Sequence, residues 1–242
     1  MVTHVRVRRR VMRVGIIGTG FGRRVVAPVF AATEDCSVID VVSPRDAEAV
    51  ETLVNRNDVD LVSVHSPPYL HAPHVRSAIS AGKAVLCDKP FALGAAQAEE
   101  MEAAAQLASI PAFVNFEFRF APARRELRDL VRRGDLGRIH HVVWTHHSSG
   151  SRVPLRPYGW LFDRELGGGW IGAWGSHAVD SLRWIFGEIT EARGRPRIDI
   201  RERVDANGAP HACTAEDGVA AWLVAGDGVS ISLDSTFAAA AT

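Results

Sequence analysis

The sequence predicts an α/β protein with a doubly wound parallel sheet, followed by an α+β domain with an open, mainly antiparallel sheet. In the first half, short apolar runs alternate with helical segments of about 10–15 residues, as in βαβ units. After residue 120, strand-like runs follow one another with few helices between them, as in antiparallel sheets. We therefore expect one domain over residues 1–120 and a second over residues 121–242.

The elements of the first domain follow in chain order. Apolar, β-branched runs ended by Gly, Ser-Pro or Asp-Lys-Pro predict strands at 11–17, 37–42, 60–65, 84–87 and 112–116. The segments between them predict helices at 21–32, 46–55, 70–81 and 93–109. Pro28 predicts a kink in the first helix. Because a single helix separates the second strand from the third, we expect the second strand at the sheet edge. Helices 21–32 and 46–56 should then lie on opposite faces.

The second domain begins with a helix at 123–133, ended by Gly134. An alternating strand at 138–147 and a Gly/Pro-rich stretch at 150–169 lead to a second helix near 176–186. We expect the remaining strands near 197–204, 217–225 and 228–237.

Composition excludes several functional classes. The 242 residues are 47% hydrophobic and 23% charged, which suits a globular protein. Because 28 basic residues balance 28 acidic ones, no net charge favours nucleic acid or an anionic membrane. Three scattered cysteines form no disulfide framework, and no apolar run is long enough to span a bilayer. We expect a cytoplasmic protein that binds neither membrane nor nucleic acid.

The histidines do not predict a metal site. The histidine pairs at 140–141 and 146–147 lie in one strand-like stretch. Residues six apart in a strand are separated by about 20 Å, too far to share one ion.

A glycine-rich turn follows the first predicted strand and opens the first helix. It comprises Gly18, Thr19, Gly20, Phe21 and Gly22. The first glycine permits a tight turn, the second lets a pyrophosphate approach the backbone, and the helix N-terminus attracts the anion. The usual third glycine position is Arg23, so we expect Gly22 to permit the close packing of helix on strand. The alternative is an ordinary strand–turn–helix that needs glycine only for its geometry.

The end of the second strand indicates which dinucleotide would bind. An Asp or Glu here would bind the ribose 2′-hydroxyl of NAD, but the sequence has Ser43 and Arg45. A hydroxyl and a guanidinium suit the 2′-phosphate of NADP, so NADP is favoured over NAD. Because the acidic residue Asp46 lies close by in the sequence, NAD remains the alternative cofactor.

Four ordered motifs resemble the Gfo/Idh/MocA oxidoreductases. The first runs from Ser63 to His71, and the second runs from Ala81 to Pro90 and ends in Asp88-Lys89-Pro90, where the family has Glu-Lys-Pro. The third comprises Asn115, Arg119 and a Leu-Gly-Arg-Ile stretch at 136–139. The fourth combines three glycines at 167–169 with Gly175-Ser176-His177 and Asp180. The resemblance covers residues 13 to about 237 and implies a Rossmann-type domain followed by an α+β substrate domain.

The resemblance also implies roles for individual residues. Lys89 would stabilise or protonate a developing alkoxide, and His177 would act as general acid or base. The family's Asp four residues before the histidine is Ala173 here. The implied cofactor-binding residues beyond the turn and Arg45 are Ser43, Ser66, Pro67, His71, Asp88 and Lys89. The candidate substrate residues are Arg119, Trp170, Trp174 and Asp180. The two tryptophans flank Ala173, and they either pack in the core or stack on a sugar or nicotinamide ring.

The leading hypothesis is an NAD(P)-dependent oxidoreductase that acts on a hydroxyl or carbonyl carbon of a sugar, polyol or related small molecule. Its rivals are an inactive nucleotide-binding remnant and a structural homo-oligomer, both suggested by Ala173 and by a second domain that looks shortened. We expect the apolar face of the C-terminal sheet to be poorly covered and to pair in a homodimer through residues 138–237. That face comprises Val142, Trp144, Val219, Ala221, Leu223, Ile231 and Leu233.

Overall fold

The computed structural model describes residues 11–240, which divide into two compact units between Asn115 and Phe116. Within residues 11–240, every helix is too short or too polar to span a bilayer. Each unit is built around its own sheet.

The N-terminal unit contains a five-stranded parallel sheet. Its strands are β1 (Met12–Ile17), β2 (Cys36–Val42), β3 (Leu61–Val64), β4 (Ala84–Cys87) and β5 (Ala112–Val114). They lie in the order β2-β1-β3-β4-β5. The helices are α1 (Ala27–Ala31), α2 (Ala47–Asn55), α3 (His71–Ser80) and α4 (Ala95–Leu107). A π-helical turn at Gly22–Val26 leads into α1, and Pro28 stands in the first turn of α1.

The core confirms the predicted arrangement of the first two helices. Val14 and Ile16 of β1 pack with Val26 just before α1. Ile17 of the same strand packs in a different cluster, with Leu53 of α2. Because adjacent strand residues point to opposite faces, the two helices lie on opposite faces of the sheet. Among the described strands β2 pairs only with β1, so it is the edge strand that the sequence predicts.

The C-terminal unit contains a four-stranded sheet, a small hairpin and two α-helices. The sheet has the order β6-β11-β10-β7, where β10 is antiparallel to both its neighbours and β6 is parallel to β11. Its strands are β6 (His141–His147), β7 (Ile189–Arg197), β10 (Gly218–Ala225) and β11 (Val229–Thr236). The hairpin is β8 (Glu202–Val204) with β9 (Pro210–Ala212), and the helices are α5 (Pro122–Arg133) and α6 (Ser176–Phe186). The predicted fold class is confirmed.

Two strands of this unit were not predicted from the sequence. The strand β7 begins at Ile189, well before the strand expected near 197, and β9 was not expected at all. Most of β7 is exposed, and among the strands within residues 11–240 it pairs only with β10. An exposed edge strand tolerates polar residues, and it also tolerates Gly194 and Pro196. Because of these residues the strand has no hydrophobic pattern from which it could be predicted.

The expectation that the apolar sheet face is poorly covered is wrong. Helix α6 lies on that face, where Ala178 and Leu182 pack with Leu223 and Ile231. The exposed apolar side chains belong to the opposite face, where Val143 is 67% and Trp222 is 41% exposed. Any pairing of sheets would therefore use the face that carries Val143 and Trp222.

Candidate cofactor and catalytic site

The first glycine of the turn has no room for a side chain. Gly18 follows β1 directly and has φ +149°, a conformation that favours glycine. A Cβ atom at Gly18 would lie 2.7 Å from the carbonyl oxygen of His65. The Gly18 N–H donates to the carbonyl of Val42, which fixes the turn at the ends of β1 and β2. This position requires glycine.

The other two glycines serve different purposes. A Cβ atom at Gly20 would meet nothing within 4 Å, so the backbone here is open to a ligand. A Cβ atom at Gly22 would lie 3.1 Å from Ile16 and 3.2 Å from His65. Gly22 thus permits the close packing of helix on strand that the sequence predicts for it. Thr19 and Phe21 are exposed beside Gly20.

The segment after β2 places Arg45 at the mouth of a surface cavity. This cavity lies between α2 and α3 and has a volume of about 730 Å³. The Arg45 side chain is exposed, and its backbone N–H donates to Ser43 Oγ at 3.3 Å. The competing Asp46 uses its carboxylate to cap α2, accepting the N–H of Ala49 at 3.0 Å. Arg45 and Ser43 therefore lie together at the end of β2, and the Asp46 carboxylate is engaged in the cap of α2.

A buried histidine connects this segment to the loop after β3. His74 of α3 lies with Nδ1 3.0 Å from Ser66 Oγ, and it also makes a hydrogen bond with the backbone of Pro44. Burial, together with the nearby His71, lowers the pKa of His74 to about 4. His74 is therefore neutral near pH 7 and holds the two loops together.

His71 lies differently from the predicted direct contact with cofactor. It is only 1% exposed, and its ring nitrogens lie 2.8 Å from the Ser66 carbonyl and 2.9 Å from the Pro90 carbonyl. Burial lowers its pKa. His71 therefore joins the loop that carries Ser66 and Pro67 to the loop that carries Pro90.

The loop after β4 carries Asp88 and Lys89, both partly buried. Asp88 Oδ1 accepts the backbone N–H of Lys89 at 2.9 Å, and Asp88 Oδ2 lies 3.3 Å from Nδ1 of His65. Because the carboxyl ends of β1, β3 and β4 share one edge of a parallel sheet, Lys89 and the glycine turn lie at the same edge.

In the C-terminal unit, His177 is buried at the start of α6. The histidine is 3% exposed and packs against the rings of Phe116 and Phe118, with centroids 5.8 and 4.3 Å away. Its Nε2 lies 3.6 Å from Oε1 of Glu117. The Ala173 side chain instead packs in an apolar cluster. A carboxylate thus approaches His177 from a residue that the sequence did not indicate.

The four predicted substrate residues contact one another or the core. Arg119 Nε and Nη2 lie 2.8 and 2.5 Å from the two oxygens of Asp180, so the two side chains form an ion pair. The hydrogen bond to Asp180 raises the pKa of Arg119. The Trp170 ring stacks on Phe237 at 4.3 Å and on Trp174 at 5.8 Å. Trp174 is buried and Trp170 half-buried, so both rings pack against other aromatic side chains of this unit.

Sequence reasoning missed His65 and Glu117. Each contacts a predicted catalytic or motif residue, yet neither was assigned a role from the sequence. The available signal was position: His65 lies inside the first motif, which runs from Ser63 to His71, and Glu117 lies between Asn115 and Arg119.

Comparisons with known proteins agree with this architecture. Residues 12–116 match the oxidoreductase family with an NAD-binding Rossmann fold, and residues 124–242 match the GFO/IDH/MocA C-terminal domain. An uncharacterised oxidoreductase of Synechocystis sp. is 33% identical over 224 residues, which cover 85% of this chain and 60% of that protein. A 1,5-anhydro-D-fructose reductase of Ensifer adhaerens is 35% identical over 150 residues, 60% of this chain and 43% of that enzyme.

A solved NAD-binding oxidoreductase from Klebsiella pneumoniae superimposes with a TM-score of 0.83 at 26% identity. The alignment covers 96% of this chain and 68% of that one. The chain spans less than two thirds of the length of the two curated relatives named above. Matches to both domains of one family, in the expected order, show that the chain belongs to the GFO/IDH/MocA oxidoreductases.

Proposed function

We propose that this chain is an NAD(P)-dependent oxidoreductase that interconverts a hydroxyl and a carbonyl group on a sugar, a polyol or a related small molecule. The observation that carries the proposal is the position of Lys89 at the same sheet edge as the glycine turn. Family membership supports the reaction class, and the anhydrofructose reductase among the relatives supports a sugar-like substrate.

The N-terminal unit has the features that a dinucleotide needs. The backbone at Gly20 is open, and the first helical turn after it has N–H groups that suit a pyrophosphate. Thr19 and Phe21 flank that position, and Ser66 and Pro67 belong to the neighbouring loop after β3. When bound, the nicotinamide group supplies or accepts a hydride at the substrate carbon.

The chain's own part in the reaction is to hold and move a proton. The Lys89 ammonium would donate a proton to the oxygen of a carbonyl being reduced, or stabilise the alkoxide formed from a hydroxyl being oxidised. For His177 we propose general acid–base work at its imidazole, with Glu117 as the carboxylate that orients the ring.

We further propose that NADP is bound more tightly than NAD. Arg45 is exposed at the end of β2 and Ser43 presents a hydroxyl beside it, whereas Asp46 caps α2. A guanidinium pairs well with a phosphate. One oxygen of the Asp46 carboxylate already accepts the N–H of Ala49, so Asp46 is less available to a ribose hydroxyl.

The second candidate is a nucleotide-binding protein without turnover. Ala173 favours it, because the family's carboxylate is missing at that position and the carboxylate near His177 comes from Glu117 instead. This candidate predicts cofactor binding with no hydride transfer.

One experiment separates the two candidates. NADH and NADPH are titrated into the protein, and a panel of sugars, polyols and their keto forms is then added while the absorbance of the reduced nicotinamide is followed. Binding followed by a substrate-dependent change supports the oxidoreductase. Binding without change on any substrate supports the second candidate, and no binding of either cofactor contradicts both.

A further inference from the structure

A fully buried histidine lies between the glycine turn and the Lys89 loop. The His65 side chain is 0% exposed and follows β3 directly. Its Nε2 lies 2.8 Å from Oγ of Ser63, which is itself fully buried, and its Nδ1 lies 3.3 Å from Asp88 Oδ2. Because the other Asp88 oxygen accepts the Lys89 N–H at 2.9 Å, one carboxylate joins the imidazole to the Lys89 backbone.

The chemistry of the partners fixes which nitrogen of His65 carries a proton. Burial opposes ionisation of Asp88, but the hydrogen bond from His65 and the charge of Lys89 outweigh it and lower the pKa of Asp88. An ionised carboxylate only accepts hydrogen bonds, so Nδ1 of His65 must be the donor. The Ser63 hydroxyl can donate to Nε2 when that nitrogen carries no proton, which favours the tautomer with its proton on Nδ1.

His65 also forms the surface on which the glycine turn lies. Its carbonyl oxygen would be 2.7 Å from a Cβ atom at Gly18, and its own Cβ would be 3.2 Å from one at Gly22. Its N–H donates to Ile17 at the end of β1, and its ring lies 5.9 Å from that of Phe21. The same residue thus contacts the predicted pyrophosphate turn and the carboxylate beside Lys89.

We propose that His65 is a positioning residue for Lys89, acting through Asp88, with Ser63 fixing the tautomer of its ring. The chain Ser63–His65–Asp88 holds the Lys89 loop at a fixed distance from the glycine turn, so that Lys89 stays aligned with whatever the turn binds. This inference rests on the proposed oxidoreductase function.

The test compares two substitutions of nearly equal size, His65→Asn and His65→Leu. The Asn amide can still donate a hydrogen bond from near the position of Nδ1, whereas Leu cannot donate. We expect His65→Leu to lower kcat by about 10- to 100-fold through misplacement of Lys89, and His65→Asn to stay within about threefold of wild type. The KM for cofactor should change little in either variant, and thermal melting shows that both fold.

Equal losses of kcat in the two variants, or a change confined to KM, would overturn the positioning role while leaving an active wild-type enzyme. A wild-type protein that binds cofactor but transfers no hydride would overturn the proposed function and this role with it. An independent readout is the 15N NMR spectrum of histidine-labelled protein, with His65 assigned from His65→Asn. A protonated Nδ1 is expected, and an unprotonated Nδ1 contradicts the inference whether or not the protein is active.

Discussion

Replacing Lys89 should lower kcat while leaving the affinity for cofactor nearly unchanged. It follows β4 at the sheet edge that carries the glycine turn, and its backbone is held by Asp88. We expect Lys89→Met to lower kcat by about 10²- to 10⁴-fold, the usual contribution of a positioned proton donor. Cofactor affinity, measured by fluorescence titration, should change little.

The matched control is Lys83→Met. The Lys83 ammonium donates to the carbonyls of Arg56 and Val59, so its loss should reduce stability and leave kcat near that of wild type. If Lys89→Met keeps full kcat, Lys89 does not act on the substrate oxygen.

Arg45 is the residue that we expect to contact the 2′-phosphate of NADPH. We expect Arg45→Ala to weaken NADPH binding by about 1–3 kcal/mol, because a charge-assisted contact with the 2′-phosphate is lost. NADH, which lacks that phosphate, should lose much less affinity. Isothermal titration of both cofactors measures the difference, and Arg76→Ala on α3 serves as an exposed arginine control. Equal weakening of NADH and NADPH would show that Arg45 does not contact the phosphate.

The sequence predicted some site residues and not others for a physical reason. Gly18 is required by its positive φ, and Gly22 is required where the helix packs closely on the strand; both leave glycine at a fixed spacing that is visible in the sequence. His65 and Glu117 matter because of side chains that approach from other elements, and no residue type or spacing marks such contacts. For Trp170, residue type alone could not decide between core packing and a ligand contact, and the structure shows its ring stacked on Phe237.

His74 joins α3 to the loops after β2 and β3, and we expect this contact to weaken in acid. Its pKa is lowered to about 4, below that of an unfolded histidine near 6.5. The unfolded state therefore binds the proton more tightly. The stabilisation is complete above pH 6.5 and is lost as pH falls toward 4, by up to about 1.4 kcal/mol per pH unit.

Urea unfolding at pH 7 and pH 5 tests this prediction. His74→Asn should reduce stability at pH 7, since the ring contacts with Ser66 and Pro44 are weakened, but its stability should depend less on pH than that of wild type. The matched control variant is His141→Asn, at an exposed histidine of the C-terminal unit. The same pH dependence in wild type and His74→Asn would show that His74 does not contribute.

Elements differed in how far the sequence could predict them. Strands of the parallel sheet are buried on both faces, so β1, β3 and β4 are continuous apolar runs with clear ends. The edge strand β7 is stabilised by backbone pairing with β10, and pairing leaves no hydrophobic pattern. The packing of α6 on the C-terminal sheet could not be predicted from the sequence. Alternating apolar residues indicate that one face of a strand is buried, but they do not indicate which element covers that face.

At the scale of the whole molecule, we expect a homo-oligomer formed through the exposed sheet face. Val143 and Trp222 are large apolar side chains exposed on neighbouring parts of that face, and exposed apolar surface of this kind favours twofold pairing. Light scattering should show a dimer for wild type and a monomer for the double substitution Val143→Lys with Trp222→Lys. A wild-type monomer at micromolar concentration would contradict this arrangement.

We propose that the glycine turn and Lys89 together support NAD(P)-dependent oxidoreduction by this chain. The absorbance of the reduced nicotinamide is followed while wild type and Lys89→Met are mixed with NADPH and a panel of keto sugars. We expect substrate-dependent oxidation of NADPH by wild type, and slow or no oxidation by a Lys89→Met protein that still binds cofactor. Equal rates in the two proteins, or a wild type that binds neither NADPH nor NADH, would contradict it.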